Sequence, residues 1–244
     1  MEDSKKESKA KNVIKRYCNN KLAVIGFFTL VLITLIVIIA PPFLPFSEAE
    51  IDPLAFNMPP SAKHLLGGDD VGRDVLSRLL YGGRVSLAVG IFSTAVSVIV
   101  GIPLGMLAAF YRGAFEVVVM RLSDIFMSFP STILILFLVS MFGPSIITVT
   151  VVIGVLGWPK FARQIYGSVL SIREKDYIEG AVAIGAKDKL IITRYILPNA
   201  VAPIFISITF RIASAIILES SLSFLGMGVQ PPAASWGNML YNAQ

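Results

Sequence analysis

The densest set of candidate metal donors in this chain lies in the stretch PSAKHLLGGDDVGRDVLSRLL, where His64, Asp69, Asp70 and Asp74 fall close together. Imidazole and carboxylates do bind divalent ions. The chain has only one histidine, however, and Arg73 and Arg78 stand beside the acids. The simpler chemistry is that of local caps and ion pairs, with Asp74 serving Arg73 or Arg78, and no metal site is assigned. Arg121 and Asp124, three residues apart, are expected to pair across one helical turn. Arg211 is more demanding, because it interrupts an apolar run. A charge in a membrane span costs about 2.5–3.5 kcal/mol on insertion scales, so it must face water or find an acid. No catalytic pattern accompanies these residues. There is no Ser-His-Asp or H-E-x-x-H arrangement, which argues against a protease. There is no G-x-x-x-x-G-K-[ST] loop, so the chain is not expected to bind ATP itself. Cys18 is the only cysteine and cannot form an internal disulfide.

One further polar stretch has no catalytic chemistry at all: KDYIEGAVAIGAKDKLIITRYILPNA, from Lys175 to Ala200. Its spacing predicts two short helices. Asp176 is placed as an N-cap, with Glu179 three residues later completing a capping box. Ile178, Ala181 and Val182 then form one apolar stripe, and Gly185 fits a C-terminal stop. A second helix from about Lys187 carries Leu190, Ile191, Arg194 and Leu197 and ends at Pro198. An amphipathic helix of this kind either lies on a lipid surface or inserts into a protein groove. Glu179, Asp188 and the small Gly180–Ala181 face suit the groove better than anionic headgroups.

The elements that must position these residues are set by composition. Of 244 residues, 55% are hydrophobic and only 15% charged, against about a quarter charged in ordinary soluble domains. Mean hydropathy is +0.75. Long uncharged runs predict membrane spans at Leu22–Ala40, Val85–Phe110, Val117–Phe142, Ser145–Trp158 and Ala200–Leu218. The first is an uncleaved span rather than a signal peptide: it is about 28 Å long as a helix, and Pro41–Pro42 follows it instead of a cleavage site. Gly143–Pro144 makes a hairpin of the third and fourth. Gly101, Pro103, Gly105 and Pro130 are tolerated within spans when neighbouring helices satisfy the freed backbone, which implies a packed bundle.

Orientation follows from Lys and Arg. Residues 1–21 carry seven of them, and the stretch from Lys160 to Arg194 carries another seven. The segment 41–84 mixes Lys63, Arg73, Arg78 and Arg84 with six acids, and nothing after Leu218 is basic. The N-terminal arm and the loop 160–198 between the fourth and fifth spans, which holds Lys160, Arg163 and Arg173 and nearly all of the Lys175–Ala200 stretch, are therefore expected in the cytoplasm, with 41–84 and 219–244 outside.

Three motifs carry a resemblance. Glu179, Ala181 and Gly185, followed by Leu197–Pro198, resemble the EAA loop of ABC-importer permeases, with Gly180 in place of the usual second alanine and Tyr195 where isoleucine is common. His64, Gly67, Asp69, Gly72, Arg73, Asp74, Ser77 and Arg78 resemble the segment before the second span in the C-type permeases of dipeptide, oligopeptide and nickel importers, with Gly68 where threonine is usual. ESSLSFLGMGVQPPAASWGNML, from Glu219 to Leu240, is similar to that subfamily's stretch after the fifth span.

The resemblance implies an all-α polytopic membrane bundle of the type I ABC-importer permease kind, with a sixth helix expected after Gln244. It implies a prokaryotic plasma (inner) membrane subunit, not an enzyme, that forms an uptake path for dipeptides or oligopeptides by alternating access. Nickel chelates or glutathione are the alternative cargo, and an ion-coupled secondary transporter or a membrane scaffold the rival classes. Implied partners are a second permease, two ATPase subunits and an external binding protein, with ATP and Mg bound by the ATPases and no cofactor in this chain. Asp176, Glu179, Gly180, Ala181, Gly185, Ala186, Leu197 and Pro198 would couple to the ATPase. Arg211 would line the path, where it could meet a peptide carboxylate, or else serve as a structural pair.

Overall fold

In the computed structural model, which describes residues 17–243, an N-cap starts each of the first two long helices. The Asn20 side chain accepts from the Ala23 N–H to open α1, Lys21–Ile39. The Asp74 carboxylate accepts from the Ser77 N–H at 2.7 Å to open α2, Val75–Tyr111. After a turn at Arg112 and Gly113 come α3, Gly113–Ser128, and α4, Ser131–Phe142. Ser145 caps α5, Ile146–Arg173, and two residues later α6 begins, Asp176–Ala183. The helical run α7 joins Asp188–Leu190, a wider π-helical stretch Ile191–Ile196, and Leu197–Ala200. α8 spans Ala202–Phe224 and α9 spans Trp236–Asn242. Among the described residues there is no strand, only two isolated bridges in the α1–α2 segment.

The bundle is built on the contact between α2 and α5. Lipid tails are as apolar as leucine, so helices in a bilayer associate through close packing and small residues. Here Gly101 and Gly105 put bare backbone against α5. A Cβ at Gly105 would stand 2.1 Å from the Ala162 carbonyl oxygen, and one at Gly101 2.5 Å from that of Trp158. α8 lies along the other side of α2. α1 is pinned at one end only, where Arg84 donates to the carbonyls of Val37 (3.0 Å) and Ile38, and is otherwise exposed.

Several spans differ from the sequence-based expectation. α2 begins ten residues earlier than Val85 and runs about 55 Å, well beyond a ~30 Å hydrocarbon core. α5 does not stop at Trp158: Pro159 sits inside it, and Lys160, Arg163 and Arg173 are on the helix rather than in a loop. The third span is broken, not continuous, with α3 and α4 meeting at 89°. The cause is local. Pro130 lacks an N–H and holds Phe129 extended, at φ −91°, ψ 142°. α3 is held to α5 by Tyr166 donating to Glu116 and by an ion pair between Arg163 and Asp124. The expected Arg121–Asp124 pair is present at 3.5 Å. The basic residues from Lys5 to Arg16 lie outside the described residues.

Candidate functional site

The α1–α2 segment, residues 41–74, folds back over the start of α2 around a buried imidazole. His64 Nδ1 lies 3.0 Å from Asp74 Oδ1 and Nε2 3.4 Å from Asp52 Oδ2, and the ring stacks on Phe46 at 4.6 Å. Asp74 therefore pairs with His64, not with Arg73 or Arg78. Those two arginines share Asp69: Arg73 Nε donates to it at 2.8 Å, and Arg78 Nε forms an ion pair with it at 3.5 Å. Burial alone would raise the Asp69 pKa. The backbone N–H groups of Arg73 and Val71, with the Arg73 guanidinium, outweigh it and hold the carboxyl below its ordinary value. Asp52 is more exposed. The Lys63 ammonium, then the Leu54 N–H, bring its pKa down to about 2. Both histidine nitrogens and most of the acids thus have protein partners.

At the same end of the bundle, Glu219 is fully buried near the end of α8 and accepts from Ser86 at 2.8 Å and Ser223 at 2.7 Å. Those hydroxyls in turn accept from the backbone N–H groups of Trp236 and Val229, which seats the 225–235 loop and α9 on the bundle. Glu48 adds a tie from the α1–α2 segment to the Ala234 N–H, at 2.8 Å. Sequence reasoning noted Glu219 only as part of a motif. Its uncharged neighbours Ser86 and Ser223 were the available sign of a buried hydrogen-bond acceptor.

At the opposite end, α6 and α7 pack on the ends of α2 and α5. Ile178 and Ala181 from α6, with Ile191 and Ile196 from α7, join Ala109, Phe161, Ile165 and Val169 in one apolar cluster. The expected stripe is thus half right: Val182 is 58% exposed. Asp176 is the first helical residue rather than the N-cap, and neither it nor Lys175 makes a side-chain capping bond, so the capping box is absent. Gly185 does terminate the helix. At φ +76° it donates to Val182 O, and Ala186 donates to Ala181 O, the paired bonds of a Schellman motif. Pro198 does not end the second helix, which continues to Ala200. The π-helical stretch just before it, with the Leu197 N–H bonded to Ile192 O, widens the turn into which the proline ring must fit.

The other face of α6 is bare. Tyr177, Gly180 and Ile184 share it at i, i+3 and i+7, with Tyr177 48% and Ile184 85% exposed. A Cβ placed on Gly180 would meet nothing within 4 Å, so the glycine leaves a hollow between two large apolar side chains. Beside it, Glu179, Val182 and Asp188 border an open cleft of about 580 Å³ against Phe110, Tyr111 and Arg173. This surface holds no nucleophile–base pair. It is a docking geometry: a helix fixed on one side and open on the other. Leu197 and Pro198 are not on it; they belong to the run that anchors α7 to α8.

Sequence and fold both place the chain among known transport proteins. Residues 101–244 match the family described as binding-protein-dependent transport system inner membrane component. The chain belongs to this family. Residues 8–60 of this inner membrane component also match the N-terminal TM domain of oligopeptide transport permease C. It is 37% identical to the dipeptide transport system permease protein of Alkalihalophilus pseudofirmus, over 96% of this chain and 77% of that one. It is 40% identical to the glutathione transport system permease protein of Pectobacterium atrosepticum, over 94% and 77%. With the oligopeptide transport system permease protein of Bacillus subtilis the identity is 33%, over 94% and 75%. Among solved structures, the inward-facing methionine ABC transporter MetNI has a chain of the same fold. The TM-score is 0.57 at 22% identity, covering 67% of this chain and 79% of that one. The inner membrane component is therefore an all-α, multi-pass transport protein with the fold of an ABC-importer permease.

Arg211 sits elsewhere, about midway along α8. Its Nη2 donates to the Ile153 carbonyl of α5 at 2.7 Å, and no ion pair reaches it among the described residues. The expected acid partner is not there, and a backbone oxygen takes its place.

Proposed function

We propose that this chain is the permease subunit of an ATP-driven importer of short peptides, and that α6–α7 is the part through which partner ATPase subunits move it. The observation that carries the reading is the two-faced α6: one side sealed against α2 and α5, the other presenting Tyr177, Gly180 and Ile184 uncovered. Asp176, Glu179, Gly180, Gly185 and Ala186 form or frame that surface, Ala181 seals its inner side, and Leu197 and Pro198 lie outside it in the run that joins α7 to α8. In the assembly, a second permease completes the path, two ATPases bind ATP and Mg, and an external binding protein delivers cargo. The N terminus and the α6–α7 end face the cytoplasm, because the basic residues Lys175, Lys187, Lys189 and Arg194 cluster there. ATP-driven closure of the ATPases displaces α6, and the bundle rocks between two global states that differ in these contacts.

Copurification of the permease with its ATPase subunits is the test. Glu179→Lys should leave the permease folded and strip most of the ATPase from it, or leave it bound with uptake uncoupled from hydrolysis. Full association with normal uptake would sink the reading. A second cargo, glutathione, is favoured by the 40% identity to a glutathione transport permease. The ligand retained by the cognate binding protein decides between the two.

A further inference from the structure

We propose that the cavity beside Arg211 is a carboxylate-binding station within the membrane, which takes the anionic end of the transported peptide as it crosses. This rests on the transport reading above and gives it a chemical address. The cavity holds about 270 Å³ between α5 and α8. That is below the roughly 300–1,000 Å³ of sites that enclose a drug-sized ligand, so it fits one end of a peptide, not the whole.

Its lining is one-sided. Lys160 and Arg211 supply two cations, Gln164 an amide, Ser207 and Ser214 hydroxyls and Phe210 an aromatic wall, with no carboxylate among them. The guanidinium is only partly satisfied: Nη2 donates to Ile153 O, while Nε is buried without any partner. A buried, unpaired charged donor marks a place where an acceptor is missing. The planar fork of an arginine matches a carboxylate better than any other common group. Depth agrees as well, since Arg211 lies about 14 Å along α8 from Ala202, near the middle of a ~30 Å hydrocarbon core.

The neighbouring helix has made room for this side chain. A Cβ on Gly157 would stand 2.5 Å from Arg211 Nη2 and 2.2 Å from Ser97 Oγ. Ser97 itself donates to Gly154 O at 2.7 Å, so it is already engaged and does not compete for the ligand. The arginine is thus held at Nη2 and buried at Nε, which leaves Nη1 as the donor that can face a ligand.

The test uses the complete importer, with its binding protein, in proteoliposomes, and compares uptake of a free-acid dipeptide with that of its C-terminal amide. The binding protein is the same in every reaction, so its own preference cancels between wild type and variant. Arg211→Gln should lower free-acid uptake about tenfold and leave amide uptake within about twofold, so the ratio collapses. Arg211→Lys, a charge without the fork, should give an intermediate ratio. Lys160→Gln should lower the ratio about threefold and serves if the Arg211 variants do not assemble. An unchanged ratio overturns the station, whether both rates hold or both fall together. The second result would make Arg211 a structural residue or the partner of an acid on the second permease. A wild-type importer that moves neither peptide sinks the transport reading, before any variant is measured.

Discussion

In the segment between α1 and α2, His64 is 1% exposed, bonded through both ring nitrogens and stacked on Phe46, and Asp69 and Asp74 each serve several donors. In α6, at the other end of the bundle, Ile184 is 85% exposed, no side chain caps the helix and its acids reach no cation among the described residues. Both regions are short and irregular in sequence, and both sit outside the long helices. The difference is that the first satisfies most of its polar groups within the chain, with Ser77 Oγ and Arg78 Nη2 at its edge the exceptions, whereas the second leaves apolar surface uncovered. A region that closes on itself holds the bundle's shape; one that stays open on one face is where shape is imposed from outside.

Four measurements would break or sharpen that contrast. The largest effect is expected at Asp74. Asp74→Ala removes the N-cap of α2, worth about 1–2 kcal/mol, and leaves His64 buried without its partner, about 1–3 kcal/mol more. Thermal melting of the detergent-solubilised permease should show a loss of about 2–5 kcal/mol; a change no larger than that of a surface substitution would mean the cap is not self-contained. Ile184→Asp should do the opposite. Stability should stay within about 0.5 kcal/mol, while ATPase binding weakens about tenfold, or 1.4 kcal/mol. Equal losses in both assays would place Ile184 in the fold instead of on its surface.

The glycines of α6 give a finer division. Gly185→Ala forces a Cβ into left-handed backbone and should destabilise the isolated chain by about 1 kcal/mol. Gly180→Ala, with nothing near its added methyl, should stabilise the free helix by up to ~1 kcal/mol, so any fall in coupled uptake would report contact with the ATPase. The smallest effect is acid tolerance around Asp52. Its pKa is about 2 against an ordinary 3.8. A lowered folded-state pKa contributes stability above the unfolded value, lost as pH falls through the folded one. Protection against hydrogen exchange over residues 52–64, relative to the intrinsic rate at each pH, should hold down to about pH 4, begin to fall below the ordinary 3.8 and finish falling as pH passes about 2.

The existence of the spans was legible because hydropathy reports it directly; their limits were not. Arg84 read as the edge of a span, yet α2 begins at Val75, since Asp74 caps it and Arg78 and Arg84 find Asp69 and the Val37 carbonyl. Pro159 and Lys160 read as an exit, yet α5 continues because α2 supports it on both sides of the proline. Pro130 looked equally tolerable and was not: it holds Phe129 extended, and the chain turns by 89° there although both α3 and α4 pack on α5. At the candidate site, Gly185 announced itself by residue type alone. Arg211's acceptor could not be read, because a backbone carbonyl on another helix leaves no mark in a sequence. The His64–Asp74 pair was hidden for a similar reason: nine irregular residues lie between its members.

The contact of Gly101 and Gly105 with α5 has a mechanical meaning. α5 is a rod about 42 Å long, joined to α6 through only Glu174 and Lys175, whose backbone bonds to Ile172 and Ile178 leave little slack. A proline is where such a rod would buckle under load. Pro159 lies between Trp158 and Ala162, the two residues whose carbonyls press on the bare glycines, so the weakest point of the rod is splinted where the clearance is smallest. On the proposed coupling, a stroke delivered at Asp176 would therefore reach the far end of α5 as displacement rather than being spent in bending.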